Sequence, residues 1–88
     1  MLSEKDKTYI LEIAKKYKAK KVILFGSSST SPEGNDIDLA VEGIENKEFF
    51  RFYSELIFNL SKPVDLVDLN KKSRFNELIT SDGVLLYG

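Results

Sequence analysis

Apolar positions along this chain repeat with two different periods, and the switches between them mark out its elements. Near the start, Ile10, Ile13, Ala14 and Tyr17 recur at helical spacing, and Ser3 with Asp6 three residues later resembles a capping box. A first helix is predicted over about residues 3–17. Val22 to Phe25 is a short continuous run of β-branched, aliphatic and aromatic side chains, with lysines before it and Gly26-Ser27 after it, and reads as a buried strand. Residues 28–35 combine four hydroxyls with Pro32, Gly34 and Asn35 and read as a loop. From Asp36 to Val41 the pattern alternates, with Ile37, Leu39 and Val41 on one face and Asp36, Asp38 and Ala40 on the other, which predicts a second strand.

Asn46 suits the N-cap of a second helix whose apolar residues Phe49, Phe50, Phe52, Tyr53, Leu56, Ile57 and Leu60 cover more than one face. That stripe is richer than one sheet needs. The simpler reading places these rings in the core, because Phe at helical spacing usually fills an interior; the other reading is a partner surface. Pro63 ends the helix, Val64 to Leu69 makes a third strand, Asn70 to Thr80 a third helix followed by Gly83, and Val84 to Tyr87 a last strand. The predicted order is αββαβαβ. Two strands in direct succession argue for an α+β fold, a mixed sheet of about four strands flanked by about three helices, forming one domain over residues 1–88.

Composition narrows the chemistry. Of 88 residues 42% are apolar and 31% charged, the balance of a soluble globular protein. Thirteen basic residues nearly cancel fourteen acidic ones without a run of like charge, so direct nucleic-acid binding is not expected; the lysines around residues 15–21 read as a solvated helix end. A domain this small builds a modest core, which leaves room for a homo- or hetero-oligomer. No apolar run approaches the ~20 residues of a membrane span, and the charged N-terminal region is unlike a signal peptide, so the expected location is cytoplasmic. With no cysteine and no histidine, neither a Ser-His-Asp triad nor a thiolate nucleophile can exist within the chain, and any metal must sit on oxygen ligands, as magnesium, manganese or calcium do.

The candidate chemistry gathers at residues 22–41. On a strand Asp36 and Asp38 lie about 7 Å apart on one face, a repulsion of about 2 kcal/mol at an effective dielectric of about 20. Solvent at a strand end offsets it, as does a divalent cation between the two carboxylates. Gly26 allows a sharp turn and close backbone approach, and Ser27 and the neighbouring amides can donate to phosphate, although Gly-Ser is also an ordinary turn. Asp65, early in the third strand, can join Asp36 and Asp38 if the two strands are neighbours, and can then accept a proton from an attacking hydroxyl. Asp68, three residues on, points to the other face and belongs to the strand end.

Taken in order, Leu24-Phe25-Gly26-Ser27, Asn35-Asp36-Ile37-Asp38-Leu39-Ala40-Val41 and Val64-Asp65-Leu66-Val67 resemble the minimal nucleotidyltransferase (MNT) family of the DNA polymerase beta superfamily, and the ending Gly83-Val84-Leu85-Leu86-Tyr87 is similar to the usual close of these domains. The resemblance implies a two-metal nucleotidyl transfer with ATP as substrate. In it Asp36, Asp38 and Asp65 are the catalytic residues and the ligands of two Mg2+ ions, Asp65 activates the acceptor hydroxyl, and Gly26 and Ser27 bind the terminal phosphates of the nucleotide. Small members of the family resemble antitoxins that AMPylate a tyrosine of an all-helical HEPN toxin. The expected partner is therefore a HEPN-type protein, and the expected function magnesium-dependent transfer of AMP to a partner's hydroxyl. The chain departs from the family where a small residue, an arginine and a glycine commonly follow Gly-Ser, since Ser29, Thr30 and Ser31 stand there. Lys71, Lys72 and Arg74 are candidates to replace that arginine. The alternative reading is a weak or inactive nucleotidyltransferase-fold antitoxin that acts by binding, with Phe49, Phe50 and Phe52 or Tyr53 in the interface. A small-molecule transferase is less suited to so short a chain.

Overall fold

The computed structural model describes residues 2–26 and 36–88. Its elements follow the predicted order: α1 (Glu4–Lys16), β1 (Lys21–Phe25), β2 (Ile37–Glu42), α2 (Asn46–Asn59), β3 (Val64–Asp68), α3 (Arg74–Asp82) and β4 (Val84–Tyr87). The four strands form one sheet in the order β3-β2-β1-β4. Neighbours β1 and β2 are antiparallel, as are β1 and β4, whereas β2 and β3 are parallel, so the sheet is mixed. The parallel pair requires a crossover, and α2 supplies it.

Alternation along each strand divides the side chains between two layers. Val22 and Leu24 of β1, Ile37, Leu39 and Val41 of β2 and Val64 of β3 pack with Ile10, Ile13 and Ala14 of α1 and Phe52 and Leu56 of α2 in the main core. On the other face Ile23 and Ala40 meet Ile79 of α3 and Leu69, with Phe25 and Val67 packed against them. Two helices therefore cover one face completely, and the single helix α3 covers the other only in part.

Local chemistry sets the helix ends. Ser3 caps α1, its Oγ accepting from the Asp6 amide at 3.1 Å. The Asp6 carboxylate does not close a reciprocal capping box. It is buried and accepts from the backbone N–H of Ser61 at 3.1 Å and from the Ser61 hydroxyl, tying α1 to the segment after α2. Asn46, expected as N-cap, is the first residue of α2, and Glu45 takes the cap position without a side-chain bond. The third helix starts at Arg74 and not at Asn70, because Ser73 caps it through the Asn76 amide while Asn70 is engaged elsewhere. Asn70 Oδ1 accepts from the Gly43 N–H at 3.0 Å and its amide donates to the Ile44 carbonyl at 3.0 Å, which joins the ends of β2 and β3.

The rich stripe of α2 splits. Phe52 and Leu56 are fully buried, and the Tyr53 hydroxyl donates to the Val64 carbonyl at 2.7 Å. Phe50 and Phe58 are 81% and 86% exposed and Ile57 is 50% exposed, so the core reading holds for one side of the helix and fails for the other.

Candidate active site

The site forms where three strand ends meet. Phe25 at the end of β1 pairs with Asp38 of β2, and Asp38 pairs directly with Asp65 of β3. Residues in direct register point to the same side, so all three lie on the face that α3 covers only in part. The second strand begins at Ile37, and Asp36 stands in the bend just before it, not within the strand as the alternation suggested. Asp36 and Asp65 are exposed and Asp38 is half-buried.

Electrostatics single out Asp38. Burial pushes its carboxyl above the ordinary carboxylate range, and the charges of Asp65 and then Asp36 push it further in the same direction, together with a hydrogen bond to the Asp65 carboxyl. The surroundings of Asp38 therefore favour a proton, or a nearby cation, over a bare charge there. Gly26 fits tightly against it. Its φ is +74°, and a Cβ built there would overlap Asp38 Oδ2 and lie 3.1 Å from Asp38 Cγ, so a side chain at this position would displace the carboxylate. Ser27 and the loop of residues 28–35 lie outside the described residues.

The basic residues named as replacements for the missing arginine are not grouped at this end. Lys71 and Lys72 line a cavity with Glu42, Ser73 and Asn76. Glu42 is four residues along β2 from Asp38, about 13 Å away at the opposite end of the strand. Arg74 lines a shallow groove with Glu77, Leu78 and Ser81. Asp68 is also at the far end, paired with Val41, and its Oδ1 accepts from the Asn70 N–H at 2.9 Å in a turn that closes β3. Its separation from Asp65 follows from strand parity.

Asp36, Asp38 and Asp65 line neither of two further concavities. An open groove of about 670 Å³ is lined by Lys16, Lys18 and Arg51 with Glu45, Glu48 and Glu55, on the layer of α1 and α2. Its charges are already internally paired in part: Lys16 Nζ donates to Glu55 at 2.9 Å, and the Tyr17 hydroxyl donates to the same carboxylate. A smaller groove of about 320 Å³ opens beside Gly26 between Phe25 and α3. Among the described residues no three carboxylates close into a metal-ligand cluster, and the closest relationship is the Asp38–Asp65 pair with Asp36 acting on it through its field. An oxygen-only set of carboxylates is nevertheless the kind that magnesium takes, with water and phosphate oxygens as further ligands.

A small mixed sheet with a Gly-containing turn beside two register-paired carboxylates is the arrangement that the resemblance to nucleotidyltransferases leads one to expect. The family model described as "Polymerase beta, Nucleotidyltransferase" matches residues 8–88, and the chain belongs to that family. No curated protein gives a sequence match. Solved structures match in fold. A toxin–antitoxin complex MntA-HepT contains a chain with 25% identity and a TM-score of 0.73 over 98% of this chain and 73% of its own length. A toxin–antitoxin crystallised with AMP-PNP matches at 28% identity and a TM-score of 0.76, over 93% of this chain and 73% of that one. A complex of tri-AMPylated Shewanella oneidensis HEPN toxin with MNT antitoxin matches at 28% identity and a TM-score of 0.72, over 94% and 70% of the two chains.

Proposed function

We propose that this protein is a magnesium-dependent nucleotidyltransferase that transfers AMP from ATP to a hydroxyl group of a HEPN-type partner protein, as an antitoxin modifying its toxin. The observation that carries the reading is the parallel register that sets Asp65 opposite Asp38, one strand away from Gly26. In this reading Asp36, Asp38 and Asp65 are the catalytic carboxylates and would hold two Mg2+ ions, which supply charge neutralisation on the triphosphate. Asp65, exposed at the outer strand, accepts the proton of the acceptor hydroxyl. The hydroxyl oxygen forms a bond to the α-phosphorus, the bond to the β-phosphate oxygen breaks, and pyrophosphate leaves. Gly26 and Ser27 hold the terminal phosphates, Gly26 because its bare backbone admits them beside Asp38. Relatives solved with AMP-PNP and with an AMPylated HEPN toxin support the nucleotide and the acceptor. Such a pair works in the cytoplasm, and among the described residues no helix is long and apolar enough to cross a membrane.

The test is transfer of label from α-labelled ATP to the purified partner in the presence of magnesium. Wild-type protein labels it, and Asp36→Asn with Asp38→Asn does not; undiminished labelling by the double variant would sink the reading. A second reading, neutralisation by binding alone, draws on the exposed rings of α2. Of the expected set Phe50 is exposed and stays, whereas Phe52 is fully buried, Phe49 packs against the core and Tyr53 is bonded to the Val64 carbonyl; Ile57 and Phe58 are exposed beside Phe50 on the same helix. Calorimetry separates the two: tight partner binding without magnesium-dependent ATP binding favours this second reading.

A further inference from the structure

Beside Gly26 lies a groove that the transfer chemistry itself does not use. It is lined by Phe25 and Gly26 at the end of β1 and by Phe75, Leu78 and Asp82 of α3, and it encloses about 320 Å³, at the small end of the range for small-molecule sites. Three features give it a specific occupant. First, it shares Gly26 with the carboxylate site: Gly26 forms part of the groove wall, and the space where its side chain would stand holds Asp38 Oδ2. The groove and the Asp38 carboxylate therefore adjoin the same glycine, although Asp38 is not among the groove's walls.

Second, the walls are mostly apolar. Phe25 and Phe75 meet edge to face, with ring centroids 6.0 Å apart and planes at 85°, which holds the Phe75 ring in a fixed orientation. Phe75 nevertheless remains 55% exposed and Leu78 60% exposed, large apolar surfaces beside buried Ile79, which lines the same groove. Phe75, Leu78 and Asp82 follow one another at helical spacing of three and four, so they form a single stripe along the groove.

Third, the stripe ends in a carboxylate placed against local preference. Asp82 is the last residue of α3, whose final turn holds no basic residue, and a negative charge there opposes the helix dipole. The position is well fixed, because Gly83 immediately after it packs so closely on β1 that a Cβ would overlap Ile23 Cγ2 and sit 2.7 Å from the Ile79 carbonyl oxygen. An aromatic face with an acceptor at its rim matches a planar heterocycle that carries an amino group on its edge.

We infer that this groove seats the adenine base of the nucleotide, with Phe75 and Leu78 against its face and the Asp82 carboxylate accepting from its exocyclic amino group. The inference rests on the nucleotidyltransferase reading above and adds to it the residues that select the base. A tyrosine ring of a partner suits the groove less well, since its only polar atom must reach Asp65 and would leave Asp82 with only the long hydrogen bond from the Ser81 hydroxyl at 3.4 Å.

The test is calorimetric titration, in magnesium, of the wild-type protein, Phe75→Ala and Asp82→Asn with three probes: ATP, inosine triphosphate, in which the amino group is replaced by a carbonyl oxygen, and inorganic tripolyphosphate, which has no base. Wild-type protein is expected to bind ATP more tightly than either of the others. Phe75→Ala should weaken ATP about tenfold, within the range for loss of a base-stacking ring, and leave tripolyphosphate unchanged. Asp82→Asn, at an exposed position that tolerates the isosteric amide, should reduce the preference for ATP over inosine triphosphate about fivefold, again without effect on tripolyphosphate. If ATP binds no more tightly than tripolyphosphate, or if both variants bind ATP as the wild type does, the base groove is wrong while the transferase reading stands. If the wild type binds neither ATP nor tripolyphosphate, the transferase reading fails and the groove falls with it.

Discussion

Gly26 and Asp38 share one space: the volume that a side chain on Gly26 would need is occupied by the Asp38 carboxylate. The turn after β1 and the carboxylate on β2 are thus fitted to each other, and the backbone φ of +74° at Gly26 adds a conformational reason for glycine. Gly26→Ala is expected to cost about 1–2 kcal/mol through the left-handed backbone alone. It should also move Asp38 away from Asp65 and lower nucleotidyl transfer at least about a hundredfold, as misplacement of catalytic groups by about an ångström does. Denaturant unfolding and a transfer assay on the same preparation check both; full activity in a folded Gly26→Ala protein would contradict the proposed use of this turn.

Asp38 and Asp65 illustrate a trade between stability and activity. Burial and then the charges of Asp65 and Asp36 raise the Asp38 carboxyl, so an ionised Asp38 opposes the metal-free fold. Asp38→Asn removes one charge and keeps the shape. In chelator the variant should melt higher, by about 4–8 °C if about 1 kcal/mol is relieved, and it should lose nucleotidyl transfer. Thermal denaturation with and without magnesium reads the effect, which magnesium should reverse by stabilising only the wild type.

The Tyr17–Glu55 hydrogen bond makes stability fall at both ends of the pH scale. Tyr17 is pushed up from 10.0 to about 12, first by its hydrogen bond to Glu55, then by burial and the Glu55 charge. Its contribution is complete below the unfolded value and is lost as pH rises from 10.0 towards about 12. Glu55 is lowered from 4.5 by hydrogen bonds from Tyr17 and Lys16, so its contribution is present above 4.5 and is lost as pH falls through the lowered value. Tyr17→Phe should flatten both limbs and cost about 1 kcal/mol at neutral pH, measured by urea unfolding across the pH range.

Asp6 and Ser61 join the first helix to the segment that leads into β3. Because Asp6 is buried and receives two hydrogen bonds from Ser61, Asp6→Ala leaves an amide and a hydroxyl without their acceptor. A loss of about 2–3 kcal/mol is expected, against at most about 0.5 kcal/mol for Glu12→Ala on the exposed face of the same helix. Equal losses for the two variants would show that the link carries no weight.

Local chemistry wrote most of the elements into the chain. Ser3 can cap α1 wherever the helix lies, Pro63 cannot continue α2, and the alternation from Ile37 to Val41 needs no partner to be read, because periods of 3.6 and 2 are properties of the backbone. The same parity separated Asp65 from Asp68. Boundaries failed where a side chain had a distant use: Asn70 looked like a helix start but bonds Gly43 and Ile44 across the strand ends, and Asp36 looked like strand but sits in the bend before it. Periodicity also could not divide the aromatic stripe of α2, since Phe50, Phe52 and Phe58 are chemically equal and only the direction in which the crossover helix lies on the sheet buries Phe52 and exposes the other two. The candidate site depends on the same kind of information. Three aspartates and a Gly-Ser turn were visible in the sequence, but their adjacency required β3 to pair in parallel with β2 in the one register that sets Asp65 against Asp38. A shift of one residue would turn Asp65 to the opposite face, and what prevents it is the packing of Val64 and Leu66 into the main core.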